Sequence, residues 1–166
     1  MMTKQRDHID QISQQWKENH SELDNGLVEI IGRFSRLNKH LENKRATVYS
    51  ALNINAGEFD VLATLYRNGS PYKLMPSDLV KQTLLTSGAM TNRLDRLEKK
   101  GLIQRAHSDE DRRCVVVGLT DPGLSLIQKG SVLYFDKVAT LYEPLTNEDQ
   151  IQLNGLLKKW VKHFED

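Results

Sequence analysis

A chain of 166 residues, 39% of them hydrophobic and 27% charged, holds enough apolar material for a core and excludes global disorder. Its net charge of +1 excludes a nonspecific polycation, and a single cysteine excludes an intrachain disulfide. No charged-then-apolar leader and no long apolar span appear, which predicts a cytoplasmic protein without a membrane partner.

In chain order, Ile9, Ile12 and Trp16 recur three and four apart, a narrow apolar stripe suited to lying against another helix. Asn25-Gly26 is expected to separate that helix from a long one marked by Leu27, Ile30, Ile31, Phe34, Leu37, Leu41 and Val48. Phe59, Leu62, Ala63, Leu65 and Tyr66 predict the next helix, ending near Asn68-Gly69. Pro76 suits the first turn of a further helix carrying Leu79, Val80 and Leu84, with Met75 a poor cap before it.

Residues 86 to 119 are the most informative stretch. Met90, Leu94 and Leu97 define a buried helical face, while Gly88, Ala89, Asn92, Arg96 and Lys99 fall on the opposite side. Small residues first and cations later let a helix N-terminus approach a duplex closely, with Arg96 and Lys99 meeting phosphates and Asn92 reading a base edge. Gly101 suits the helix stop.

Leu102 to Arg105 and Cys114 to Leu119 then read as short strands around the polar tip 108 to 113. A charge run such as DEDRR is ordinarily a solvated loop, but its place directly after this helix makes it a nucleic-acid wing. Arg112 and Arg113 suit a minor groove, and Asp111 suits holding one of them. From Lys81 to Arg113 the local balance is +3, leaving −2 for the remainder, so the basic face is local.

Thr120 and Pro122 predict a helix start, with Leu124, Ile127, Phe135, Val138 and Leu141 carrying it toward Pro144. Thr146 and Asp149 resemble a capping arrangement for the last helix, although Asp reaches less far than Glu. Leu153, Leu156, Leu157, Trp160, Val161 and Phe164 give that helix the clearest stripe in the chain, more than a terminal helix needs unless it packs on a partner.

EFDVLATL at 58 to 65, TSGAMTNRLDRLE at 86 to 98, DRR at 111 to 113 and Leu119-Thr120 resemble the MarR family of winged-helix transcriptional regulators, over most of the chain. Together with Gln15-Trp16 before the first long helix, they are similar to its PecS and urate-responsive branch, which carries an extra N-terminal helix bearing a tryptophan. Met75 departs from the family's usual Ser or Thr.

The resemblance implies a homodimer on pseudo-palindromic double-stranded DNA, with contacts from Ser87, Gly88, Ala89, Thr91, Asn92, Arg96, Lys99, Asp111, Arg112 and Arg113. It also implies an effector site for a small aromatic anion such as urate, formed by Trp16, Asp60, Arg93 and Arg105. An aromatic face stacks on a purine, guanidiniums meet an anion, and Asp60 accepts a ring N–H or holds an arginine. The bland alternative for these four is a helix staple, a structural salt bridge and a phosphate contact.

Enzymatic readings find no phosphate-cradling glycine loop, no HExxH and no GxSxG, and the five histidines are scattered, so no cofactor or metal is expected. The fold expected is mainly α with a small β-wing: an N-terminal extra helix at 1-24, a helical dimerisation region at 25-52 and 120-166, and a winged helix-turn-helix region at 53-119. The function expected is a ligand-responsive transcriptional regulator, with repression the expected sign. The alternatives are a ligand-unresponsive architectural or adaptor protein and a redox-responsive regulator acting through Cys114.

Overall fold

A computed structural model describes residues 6–83, 86–107, 111 and 113–165, without the side chain of Ser87. It divides the chain into two compact units, residues 1–43 and 44–166.

The first unit holds α1 (His8–Asn19) and most of α2 (Asn25–Ala51). A reciprocal cap starts α1: the Asp10 N–H donates to Asp7 Oδ1 at 3.0 Å and the Asp7 N–H to Asp10 Oδ2 at 2.8 Å. Ile9 is buried against α2 at Gly32, where a β-carbon would come within 2.9 Å of Ile9 Cδ1. Arg33 binds the carboxylates of Asp7, Asp10 and Glu29 across the pair. Asn25-Gly26 is the first turn of α2 rather than the separator expected. The break is at 20–24, where Asp24 Oδ1 accepts the Gly26 N–H and supports the helix start.

The second unit contains the end of α2, then α3 (Ala56–Arg67), β1 (Lys73–Leu74), α4 (Pro76–Gln82), α5 (Ser87–Lys99), β2 (Ile103–His107), β3 (Val115–Leu119), α6 (Asp121–Ala139) and α7 (Asn147–Lys162). Its core joins Val48, Phe59, Leu62, Leu65, Leu79, Met90, Leu94, Leu97, Ile103, Val117 and Ile127. Each such side chain contributes about 1.5–3 kcal/mol on leaving water. Met75 caps α4 with no side-chain bond, as its thioether dictates. Leu84, expected on that helix, lies outside the described residues.

The sheet order is β1-β3-β2, all antiparallel, with Lys73 opposite Gly118 and Arg105 opposite Val117. Strand β1 went unforeseen because two residues carry no alternation. Gly118 admits it: a β-carbon there would sit 2.9 Å from Lys73 Cγ. Thr120 caps α6 by accepting the Gly123 N–H at 3.2 Å and donates from its hydroxyl to the Gly101 carbonyl at 2.6 Å. That single threonine therefore ties the start of α6 to the turn that ends α5. Helix α6 stops at Ala139, leaving Leu141 in a turn. For α7, Asp149 reaches the Thr146 N–H at 3.0 Å despite its short side chain, completing the cap. None of the described helices is long and apolar enough to cross a membrane.

Candidate nucleic-acid interface

Helices α4 and α5 make a helix-turn-helix whose second member is bolted down on one side. Met90, Leu94 and Leu97 are buried, whereas Gly88, Thr91, Asn92, Arg96 and Lys99 are exposed and Ala89 is half-buried. A β-carbon at Gly88 would meet nothing within 4 Å, so no internal contact requires glycine there, although glycine costs a helix interior about 0.5–1 kcal/mol. The result is a bare first turn with Asn92 and then cations behind it.

The hairpin of β2 and β3 projects beside this helix. At its tip Asp111 Oδ1 accepts from the Arg113 backbone N–H at 2.9 Å and from Nε at 3.2 Å, which leaves the Arg113 side chain 91% exposed. The Arg113 guanidinium, followed by its backbone N–H, holds the Asp111 carboxyl below the ordinary carboxylate range. Arg112 lies outside the described residues, as do Ser108 to Glu110.

Not every cation counted in this stretch faces outward. Lys100 donates to Glu58 and to the Asn53 carbonyl. Arg105 on β2 places its guanidinium between Asp95 at 2.6 Å and Glu98 at 2.9 Å, so it braces the hairpin against α5. Arg93 is half-buried and lies across the first turn of α3, where a β-carbon on Gly57 would come 2.7 Å from its Nε. That Nε is buried without a hydrogen-bond partner among the described residues. Asp60 is half-buried on α3, one turn beyond Gly57 and on the same side.

Trp16 belongs to the first unit, 41% exposed, with its ring 5.3 Å from that of His20 in a cleft lined also by Gln15 and Asn19. Sequence reasoning missed Gly57, Glu58 and Lys100 as structural partners. The one available signal was Asn55-x-x-Glu58, a capping pattern that puts an acid at the start of an apolar helix.

A helix-turn-helix followed by a β-hairpin, whose sheet is completed by a strand ahead of α4, defines a winged-helix DNA-binding protein. Residues 54–115 match the model of the MarR family. The chain is 34% identical to the HTH-type transcriptional regulator PecS of Dickeya dadantii strain 3937, over 94% of each chain. Among solved structures it is similar to a cysteine-to-serine mutant of Escherichia coli MarR complexed with operator DNA, at TM-score 0.68 and 29% identity over 81% of this chain and 95% of that one. It is also similar to NadR in complex with 4-hydroxyphenylacetate, at TM-score 0.61 and 26% identity over 80% and 91%. The chain belongs to the MarR family, and it is a DNA-binding transcriptional regulator rather than an enzyme.

Proposed function

We propose that this regulator is a homodimeric repressor that reads a pseudo-palindromic operator and is released from it by a small aromatic anion, urate or a related oxypurine. The observation that carries the DNA reading is the two-sided character of α5: Met90, Leu94 and Leu97 lock one side into the core while Gly88, Asn92, Arg96 and Lys99 stand clear. In this reading α5 enters the major groove through Ser87, Gly88, Ala89, Thr91, Asn92, Arg96 and Lys99, and the wing reaches the minor groove through Asp111, Arg112 and Arg113. The operator complex of the MarR mutant supports it.

Dimerisation falls to residues 25-52 and 120-166. Support comes from the exposed Leu27, Ile30, Ile31, Phe34 and Leu37 of α2, and from α7, none of whose residues is buried.

The effector ligands are Trp16, Asp60, Arg93 and Arg105. Trp16 is carried by the family resemblance alone. Arg93 has support in geometry, since it is anchored on α5 and turned toward α3, so an anion that draws on its guanidinium draws on the helix that meets DNA. NadR binding an aromatic carboxylate supports the ligand class.

The test is anisotropy of a labelled operator duplex titrated with urate, xanthine and simple phenolic acids. Wild type is expected to lose affinity roughly 5- to 150-fold with the effector, the usual range of such coupling. Trp16→Ala and Arg93→Ala are expected to bind DNA and to resist release. Indifference of wild type to the whole panel overturns the effector reading and leaves DNA binding standing. Release by oxidant alone would transfer the sensing role to Cys114.

A further inference from the structure

Glu58 is an acid inside the core, its side chain 2% exposed at the third position of α3. Its Oε2 accepts from Lys100 Nζ at 2.9 Å and from the Asn55 N–H at 3.0 Å. Lys100 Nζ also donates to the Asn53 carbonyl at 3.0 Å. Burial alone would raise the Glu58 pKa, yet the Lys100 hydrogen bond, the Asn55 N–H and the charges of Lys100 and Arg93 bring it below the ordinary value. The Glu58 carboxylate is therefore ionised at neutral pH.

Lys100 is also the C-cap of α5. Its backbone N–H closes on the Arg96 carbonyl at 3.0 Å, and the chain then reverses at Gly101 with φ +69°. Beyond that reversal, the Gly101 carbonyl is held by Thr120. The apolar contacts of Met90, Leu94 and Leu97 fix which side of α5 faces inward but are weakly directional. By contrast, two short hydrogen bonds from one ammonium fix a point in space.

We propose that Lys100 is a positioning residue for DNA reading: pinned to Glu58 and to the α2–α3 turn, it sets the tilt of α5 and so the depth at which Asn92 meets a base edge, and it makes no phosphate contact. The lever is long enough to matter. Thirteen residues at 1.5 Å each make α5 about 20 Å long, so a shift of about 2 Å at its C-terminal end turns it by roughly 6°. This rests on α5 being the element that enters the groove.

The test uses the full chain, an operator duplex selected from a randomised pool, and a random duplex, each measured between roughly 50 and 200 mM salt. Lys100→Met keeps the aliphatic stem and removes the pin. It is expected to lose roughly tenfold or more in preference for operator over random duplex, the size of a disturbed base contact, with the salt slope unchanged. A phosphate contact instead predicts equal losses on both duplexes and a slope lower by about 0.9 for each contact removed. Glu58→Met leaves the Lys100 charge in place and removes the carboxylate that accepts from it, so it is expected to reproduce the loss of preference. Undiminished preference in Glu58→Met overturns the proposal.

A role in folding alone would lower binding to both duplexes together, in step with the folded fraction read by circular dichroism. If Lys100→Met does not fold, Glu58→Met and Lys100→Arg decide: the arginine variant is expected to retain the preference. If Asn92→Ala also leaves the preference untouched, it is the placement of α5 in the groove that fails, not the pin.

Discussion

In the proposed dimer, replacing Leu157 and Trp160 together by aspartate is expected to release monomer, with the dissociation constant rising at least roughly 100-fold. The expectation comes from what α7 lacks. It is a well-capped helix of 16 residues with no buried residue, and its stripe shows Leu156 at 67% exposure and Val161 at 50%, continued just past the helix end by Phe164 at 75%. A contiguous apolar stripe of this kind on a folded protein marks a surface that another protein covers. In a two-fold interface each substitution enters twice, and each puts an unpaired carboxylate where apolar contact is needed. The core of the second unit draws on residues from α2 to α6 and on none of α7, so helical circular dichroism is expected to persist. Light scattering across a dilution series reads the result, and a double variant that stays dimeric at micromolar concentration moves the interface elsewhere.

Gly123→Ala is expected to destabilise the fold by about 3 kcal/mol or more, a fall in Tm of roughly 6–12 °C for a chain of this size. An added β-carbon would run into the Leu102 carbonyl and lie 3.2 Å from the Leu102 Cα. That neighbour is backbone, held by the Thr120 N–H on its oxygen, and it cannot rotate away as a side chain would. The matched control is Gly155→Ala, where a β-carbon meets nothing within 4 Å and the gain in helix propensity is about 0.8–1 kcal/mol. Differential scanning calorimetry of the two variants is expected to give shifts of opposite sign. A Gly123→Ala protein melting within the error of wild type would show that α6 does not depend on this close approach.

Much of this fold was readable from residue order because its signals are local. The Met90, Leu94 and Leu97 stripe, the Gly101 stop, the Thr146 and Asp149 cap and the uncapped start at Met75 each depend on residues within one or two turns. What escaped is what depends on distant partners. Strand β1 exists because β3 offers it an edge beside a glycine, and Gly123 matters because Leu102 is pressed against it. Charge counting fared worst, because a tally gives no direction: Lys100 and Arg105 were numbered with the basic face, and both place their charge against carboxylates of the same chain. Asn25-Gly26 misled for a related reason, since Asp24 supplies the hydrogen bond that allows a helix to begin on those two residues.

The most direct measurement on the central reading is the competition between operator and random duplex for wild type and Asn92→Ala, at one salt concentration and with folding verified. Asn92 stands exposed on the face of α5 that carries no core contact, so its amide is available to a base edge. A lost bidentate contact is worth about 1–3 kcal/mol, which predicts a preference reduced roughly 5- to 150-fold with binding to random duplex almost unchanged. Equal losses on both duplexes, or none on either, would contradict the account and remove this face of α5 from sequence reading.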